Sequence, residues 1–173
     1  LSEGKTVGCR AIEGPPIKPV FVDQSPIGHN PRSNPATYTK LADIIRDLFA
    51  SGTGLSPSHF SFNRPEGACP ACEGMGAQEV WMRYLPSTWI TCAECEGLRF
   101  TEPVLAARLP VGTAQYSIAE FYQLAIEDAR GLFRTETRLP AAKLQTARQI
   151  LDALCEIGLG YLTLGQPSTT LSG

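Results

Sequence analysis

Two pairs of cysteines limit what this chain can fold into more than any other feature of its sequence. Cys69 and Cys72 form the first pair, Cys92 and Cys95 form the second, and the 19 residues 73–91 separate them. This separation lies within the range that is typical of four-cysteine zinc sites. Because the two pairs must face the same ion, the intervening residues are expected to fold back on themselves as a β-hairpin.

The chemistry of four thiolates predicts a structural ion. Zinc held by four cysteines is tetrahedral and closed, so it leaves no position open for a reacting water molecule. The pairs also resemble each other, because glycines follow both of them (Gly74 and Gly76 after the first, Gly97 after the second). Glycine permits the positive φ angle that such a knuckle requires. An iron–sulfur site and buried or disulfide-linked thiols are the alternatives to zinc.

Composition and charge narrow the class of protein. The chain has 173 residues, six cysteines and a net charge of −2. It contains no apolar run long enough to span a membrane and does not begin like a signal peptide, so we expect a cytoplasmic protein with reduced thiols. A free-standing nucleic-acid-binding domain is usually basic, and the charge gives no support for one. Cys9 and Cys155 stand alone and are expected to be buried apolar thiols.

Apolar periodicity predicts a mixture of helices and short strands. We expect a helix over 37–50 with an apolar stripe, strand-like residues at 80–90, and a possible strand at 161–164. Ser117 and Glu120 form a capping box that starts a further helix. Other helices are predicted over 127–133 and 141–157, the latter with Leu144, Ala147, Leu151, Leu154 and Ile157 facing inward and with Gly158 at its end. The 51–58 stretch is expected to be a surface loop.

The aromatic side chains between the cysteine pairs have two interpretations, and the two histidines have one. Trp81, Tyr84 and Trp89 lie between the cysteine pairs, and we expect them to pack on the zinc module. The alternative is that they stack on nucleotide bases. His29 and His59 are expected to be exposed or hydrogen-bonded, because the four cysteines already complete a zinc site.

One motif points misleadingly to ATP hydrolysis. Gly4, Lys5 and Thr6 resemble the end of a phosphate-binding loop, but the first glycine of that pattern is missing. No strand ending in Asp-Glu is present in the sequence. The chain alone is therefore predicted not to bind and hydrolyse ATP.

Several segments together resemble UvrA, the damage-sensing ATPase subunit of the bacterial excinuclease ABC system. The similarity covers the run from Asp23 to Gly28, the run from Pro31 to Thr39, the approach to the first cysteine pair at 60–69, and the segment 158–167. It ends at Leu171, Ser172 and Gly173, which match the start of the ABC signature motif. These motifs keep their order and spacing over nearly the whole chain. The weakest match is at 101–150, where only the helical pattern agrees.

The resemblance implies a division into domains. Residues 1–28 would be a fragment of the second nucleotide-binding domain, 29–160 an inserted signature domain with its zinc module at about 60–108, and 161–173 the return to the nucleotide-binding domain. The implied fold class is α+β: a helical insertion domain with a four-cysteine, zinc-bound β-hairpin module, flanked by fragments of an ABC-type ATPase domain.

The resemblance also implies ligands and partners. Gln24 would sense the γ-phosphate and magnesium, while Leu171, Ser172 and Gly173 would contact ATP in the full-length parent. The zinc hairpin would lie near damaged duplex DNA. The parent would be a homodimer, with no membrane association, and its site for a UvrB-type partner would lie outside this chain.

Two alternatives remain open at this point. His29 and Lys40 depart from residues that are common in the family, which is compatible with a UvrA paralogue linked to drug resistance. The C-x-x-C-x-G-x-G pattern also occurs in DnaJ-type zinc modules that bind proteins, but those carry four such repeats, whereas this chain carries one at the first pair and the shorter C-x-x-C-x-G at the second.

Overall fold

The computed structural model of the protein describes residues 32–84 and 88–170. Its helices and strands follow one another as α1 (Pro35–Tyr38), α2 (Leu41–Thr53), β1 (Ala77–Val80), β2 (Thr88–Thr91), α3 (Glu102–Ala106), β3 (Leu109–Val111), β4 (Ala114–Tyr116), α4 (Ile118–Gln123), α5 (Ile126–Thr135) and α6 (Ala141–Glu156). Two short 3₁₀ turns cover Pro57–Phe60 and Ser168–Thr170. The predicted α+β class is confirmed, with helices and two small separate sheets.

The first predicted helix is two helices. Asn34 and Thr37 form a capping box that starts α1, with Pro35 in its first turn. Lys40 then takes a left-handed conformation with φ of 64°, which ends α1 and begins α2 at Leu41. The predicted apolar stripe of α2 is confirmed as buried, although the helix continues to Thr53 into the stretch expected to be a loop.

Aromatic rings fill the centre of the helical core. The Phe49 ring of α2 lies 5.2 Å from that of Phe60 and 5.5 Å from that of Phe121, measured between centroids. Phe121 in turn meets Phe133 of α5 edge to face at 6.2 Å. Such tilted and edge-to-face pairs stabilise a core beyond their buried area alone. Helices α5 and α6 pack along each other beside this aromatic cluster.

The later helices largely follow the sequence pattern. The capping box of Ser117 and Glu120 is present at the start of α4, as predicted. Helix α6 buries Leu144, Ala147 and Leu151, and Gly158 follows it with φ of 83°. Ile157 is exposed, however, because α6 ends before it and the chain turns away; its predicted inward position was wrong.

Residues 161–164 form no strand. A single bridge joins Thr163 to Ala125, and the remainder of this segment is turn. The segment is nevertheless fixed, because the amide of Leu164 donates to the carbonyl of Leu124 and its carbonyl accepts from the amide of Ala36. One segment therefore connects α1 with the end of α4.

Two antiparallel hairpins complete the fold. Strands β1 and β2 pair from Ala77 opposite Thr91 to Val80 opposite Thr88, which confirms the hairpin expected between the cysteine pairs. The β3–β4 hairpin was not predicted; it packs under α2 through the buried Leu109. None of the helices in the described part of the chain is long and apolar enough to cross a membrane.

Candidate metal centre

The four cysteines predicted to bind zinc lie together. One sulfur from each residue forms a group in which all atoms are within 4.8 Å of one another. All four side chains are buried, and the Cys72 and Cys95 Sγ atoms are 3.6 Å apart. The loops that carry the two pairs therefore face each other across a space suited to a single ion.

Backbone hydrogen bonds hold each knuckle in place. The amide of Cys69 donates to the carbonyl of Arg99, and the amide of Cys92 donates to the carbonyl of Gly76. The amide of Gly76 also donates to Cys72 Sγ at 3.2 Å. Each cysteine pair is thus hydrogen-bonded to the segment that follows the other pair. These bonds explain how two pairs separated by 19 residues are held next to each other.

The near-repeat in the sequence is also a repeat in conformation. After each pair, a glutamate and a glycine both adopt positive φ: 51° and 76° at Glu73 and Gly74, 50° and 86° at Glu96 and Gly97. A glutamate in this region is strained, whereas glycine is not. The second glycine of the first pair, Gly76, also has positive φ, at 75°. The prediction that these glycines shape the knuckles is therefore confirmed.

Gly74 is required for a close approach as well. A Cβ atom placed on it would lie 1.8 Å from the carbonyl oxygen of Phe62. Phe62 belongs to the buried core, where its ring meets that of Phe100 at 5.8 Å. The first knuckle therefore rests directly against the backbone of the helical core.

Burial and local amides act in opposite directions on the thiols. Burial raises the pKa of Cys95 to about 12 and also raises the pKa of Cys72. The backbone amide of Cys95 lowers the pKa of Cys92. Since zinc binds thiolates, metal binding has to displace the protons that burial favours. A divalent cation supplies the compensating charge that four thiolates in this space require.

The donor set fits a structural zinc ion. Four buried sulfurs are the soft, tetrahedral ligand set that zinc favours. Within residues 32–84 and 88–170, the partly buried Met75 is the one hydrophobic residue that packs against this cysteine cluster, so the knuckles have little apolar core from this part of the chain. When bound, zinc would supply a crosslink between the two knuckles. No ligand position would remain for chemistry.

The aromatic residues between the cysteine pairs are exposed, and the expectation that they pack on the zinc module was wrong. Trp81, Tyr84 and Trp89 are 82%, 90% and 50% exposed. Val80, Met82 and Ile90 add further exposed apolar surface to this tip of the hairpin. The hairpin extends away from the small cysteine cluster, which leaves these side chains exposed.

The surface around the zinc module is acidic. Five exposed glutamates lie on or beside it, Glu66, Glu73, Glu79, Glu94 and Glu96. Exposed Arg64 and Arg83 carry the opposite charge. Arg83 lies beside Trp81 and Tyr84, and Glu79 lies opposite Trp89 in the hairpin. The tip is therefore aromatic with one cation and one anion, whereas the base is anionic.

Other predicted residues have mixed outcomes. Gln24, Leu171, Ser172 and Gly173, predicted to contact nucleotide, lie outside the described residues, as do Cys9 and His29. His59 Nδ1 is hydrogen-bonded to Ser56 Oγ at 2.8 Å, which confirms its predicted role as a hydrogen-bonded residue rather than a ligand. Cys155 is half-buried rather than buried, because it lies near the end of α6.

Sequence reasoning missed one cavity. A space of about 220 Å³ lies between the end of the zinc module and the helical core, lined in part by Asn34, Arg99, Tyr122 and Gln166. An asparagine before a proline is a signal for a helix start that could have indicated Asn34 as a cap, but nothing in the sequence indicated that distant residues would join it.

Comparison with known proteins gives a consistent result. The chain is 40% identical to the UvrABC system protein A of Aquifex aeolicus over 90% of its length, and 43% identical to that of Micrococcus luteus over 90%. The protein of Synechocystis is 39% identical over 98% of the chain. No protein-family model matches the chain.

A solved structure agrees with these relatives. The crystal structure of UvrA2 from Deinococcus radiodurans matches with a TM-score of 0.72 and 40% identity, covering 87% of this chain and 18% of that one. The chain spans about a sixth of the length of the curated relatives it matches, 16% of the Aquifex protein. The matched region is thus one segment of a much longer type of protein.

Proposed function

We propose, since the chain is a UvrA-like segment, that its parent protein is a DNA-repair ATPase of the nucleotide excision pathway. The observation that carries this proposal is the likeness to UvrA at 39–43% identity over at least 90% of the chain. In this proposal the segment supplies the zinc-bearing part that faces DNA, and the parent acts in the cytoplasm as a homodimer with a UvrB-type partner.

The zinc ligands are Cys69, Cys72, Cys92 and Cys95 in this proposal. Their mutual distances and burial support it. The ion is structural, and its role is to fix the base of the β1–β2 hairpin. The hairpin then presents its tip at a defined position on the molecule.

The tip of the hairpin is the part we assign to DNA. Aromatic rings are sequence-tolerant stacking surfaces for bases, and Arg83 adds a cation for the phosphate backbone. Because the base of the module is acidic, the chain alone should bind duplex DNA weakly. Any such binding should weaken further as salt rises, since phosphate contacts release counterions.

A double variant tests this assignment in the parent protein. Trp81→Ser with Tyr84→Ser removes both exposed rings, and Tyr161→Ser is a matched control that removes a ring 75% exposed elsewhere on the chain. We expect the double variant to lose preference for damaged over intact duplex, with zinc content unchanged. Equal discrimination in the double variant and the control would contradict the proposal.

Nucleotide contact is assigned to residues outside the described structure. Gln24 would act near the γ-phosphate and magnesium, and Leu171, Ser172 and Gly173 would contact ATP held by the opposite ATPase half. In the parent, Ser172→Ala should slow ATP turnover while zinc remains bound. The 173-residue chain alone should be inactive. Turnover by the purified chain would contradict this division of roles.

The proposal divides the chain into three parts. A fragment of the nucleotide-binding domain covers residues 1–28, the inserted domain covers 29–160, and the return to the nucleotide-binding domain covers 161–173.

Deletion of the parent gene should sensitise cells to ultraviolet light. Altered drug resistance without ultraviolet sensitivity would instead indicate the paralogue, and the match to a UvrA2 structure keeps that test necessary. The similarity to UvrA proteins supports either a repair protein or its paralogue over a DnaJ-type module.

A further inference from the structure

The two cysteine knuckles share a repeat that is longer than their cysteines and glycines, and it differs at its last position. Residues 69–76 read C-x-x-C-E-G-M-G, whereas residues 92–99 read C-x-x-C-E-G-L-R. Gly76 and Arg99 therefore occupy equivalent positions. Both have positive φ, 75° at Gly76 and 72° at Arg99. The second knuckle thus places an arginine where the first has a glycine in the same conformation.

The backbone of this position makes the same hydrogen bonds in both knuckles. The carbonyl of Gly76 accepts from the amide of Cys92, and that of Arg99 accepts from the amide of Cys69. The amide of each residue also donates to the sulfur of the last cysteine in its own knuckle. Because glycine is sufficient for these bonds in the first knuckle, they do not explain the arginine in the second.

The backbone conformation of Arg99 is strained. A positive φ is unfavourable for arginine, because its Cβ crowds the following carbonyl oxygen. Strain of this kind persists only where the surrounding structure fixes it, and it is concentrated at functional positions. Glycine would remove the strain and keep the hydrogen bonds. The explanation for Arg99 therefore has to lie in its side chain.

The side chain of Arg99 reaches across to the first knuckle. Its Cγ and Nε atoms lie 3.0 Å and 3.4 Å from the point that a Cβ atom on Gly76 would occupy. Its guanidinium carbon lies 5.3 Å from the centre of the buried Phe62 ring. The two equivalent positions are thus too close for both to carry a side chain, and the arginine fills the space beside the helical core.

The charge of the cysteine cluster accounts for a cation in this place. Burial lowers the pKa of Arg99, while the thiolates of Cys72 and Cys95 act in the opposite direction. These two sulfurs belong to different knuckles and are 3.6 Å apart. A guanidinium stays protonated in proteins, so Arg99 is a permanent positive charge beside them. A zinc ion with four thiolates carries a net negative charge, which is unfavourable when buried without compensation.

We propose that Arg99 is a positioning residue of the metal centre, whose guanidinium supplies the counter-charge for the thiolates of both knuckles and holds the first knuckle against Phe62. The proposal rests on the zinc site proposed above, and it assigns Arg99 no contact with the ion itself.

The size of the expected effect follows from the surroundings of the site. Residues that surround metal ligands without binding the metal commonly change its affinity by about 10–100-fold. Arg32 brings a second cation to the first knuckle, where its guanidinium donates to the carbonyl of Glu73 at 2.8 Å. Loss of Arg99 should therefore weaken zinc binding without abolishing it.

The test is the zinc affinity of the 173-residue chain, measured by competition with a chelator at constant pH and ionic strength. Arg99→Gln removes the charge and should weaken zinc binding at least about tenfold. Arg64→Gln is the matched control, because it removes an exposed arginine beside the same module, and it should leave the affinity unchanged. Circular dichroism checks that the helical core is folded in every variant.

Two further variants separate charge from backbone shape. Arg99→Lys keeps a positive charge and should recover most of the affinity that Arg99→Gln loses. Arg99→Gly relieves the positive φ and reproduces the residue of the first knuckle, yet it should bind zinc as weakly as Arg99→Gln. Glu96→Gly relieves a φ of 50° in the same knuckle without removing a cation, and it should bind zinc at least as tightly as wild type.

Wild-type affinity in Arg99→Gln or Arg99→Gly would overturn the proposal, because neither variant keeps the charge. A lysine variant as weak as the glutamine variant would overturn it too. Equal weakening by Arg99→Gly and Glu96→Gly would assign the effect to the backbone and would have the same consequence. Absence of zinc from the wild-type chain would contradict the metal site itself, so failure of the site and failure of this inference are distinguishable.

Discussion

The helical core and the zinc module are held together by different forces. The core buries a continuous set of apolar residues from α2, α4, α5 and α6 around Phe49 and Phe121. The zinc module buries its four cysteines with Met75 beside them and leaves its hairpin exposed. Hydrophobic burial is extensive in the first region and slight around the four cysteines of the second. We therefore expect the position of the hairpin to depend on the metal and the stability of the core not to depend on it.

The largest effect on this contrast is expected when one zinc ligand is removed. Cys92→Ser should abolish zinc binding and unfold the hairpin, because structural zinc contributes on the order of 10–16 kcal/mol to such modules. Amide hydrogen exchange should show that 69–99 lose protection while α5 and α6 keep theirs. Cys155→Ser is the control and should retain zinc. Loss of protection throughout the chain would show that the two regions are not separable.

Truncation of a buried ring in the core should lower the stability of the core and leave zinc binding intact. Phe49 is fully buried between Phe60 and Phe121, and Phe49→Ala should lower the free energy of unfolding by about 3–5 kcal/mol. Denaturant unfolding followed by circular dichroism measures this loss. Tyr38→Ala, at an exposed ring, should change stability by less than about 0.5 kcal/mol. The variant should still bind one zinc; loss of the ion would contradict the separation of forces.

Gly74 lies where the two regions meet, so a substitution there tests the contact between the first knuckle and the helical core. Gly74→Ala would force a Cβ against the carbonyl oxygen of Phe62 at a φ of 76°, which costs about 1–3 kcal/mol. Chelator competition should show zinc affinity reduced by about tenfold or more. Gly131→Ala, inside α5 with open space around it, should instead stabilise the helix by up to about 1 kcal/mol. Equal zinc affinity in the two variants would contradict the role of Gly74.

The smallest effect concerns the start of α4. The amide of Ser117, aided by Arg108, holds the pKa of Glu120 below its ordinary value of 4.5. A lowered pKa stabilises the fold above the ordinary value, and this contribution is lost as pH falls through the folded-state pKa. Glu120→Gln keeps a capping acceptor but loses the charge, so it should cost less than about 1 kcal/mol near neutral pH. That difference from wild type should vanish under acidic conditions.

A difference between Glu120→Gln and wild type that grows on acidification would have the wrong sign. Both proteins are compared by denaturant unfolding at matched pH and ionic strength. Zinc loss at low pH affects both equally, so their difference isolates the carboxylate.

Local chemistry in the sequence predicted the parts of the structure that depend on few neighbours. The cysteine spacing gave the metal cluster and its hairpin, and Ser117 with Glu120 gave the start of α4. The apolar stripe of α2 was predictable because helical periodicity depends on one segment alone. The β3–β4 hairpin had a weak signal in Gly112, whose positive φ permits its tight turn.

Features that depend on distant segments were not predictable. Lys40 breaks the first helix with a left-handed conformation that lysine rarely takes, so its sequence gave no sign of the break. Alternation in β2 assigns Trp89 to a face of the hairpin but does not show whether anything covers that face. The cavity between the zinc module and the helical core joins Asn34, Arg99 and Gln166, which lie far apart in the sequence and are brought together by packing.

The central claim is that a single zinc ion bound by four thiolates holds the module beside an independent core. Metal analysis of the purified chain, combined with X-ray absorption at the zinc edge, tests it most directly. The expected result is one zinc per chain with four sulfur ligands at about 2.3 Å. Well under one zinc per chain, iron in its place, or nitrogen and oxygen in the first coordination sphere would contradict the claim.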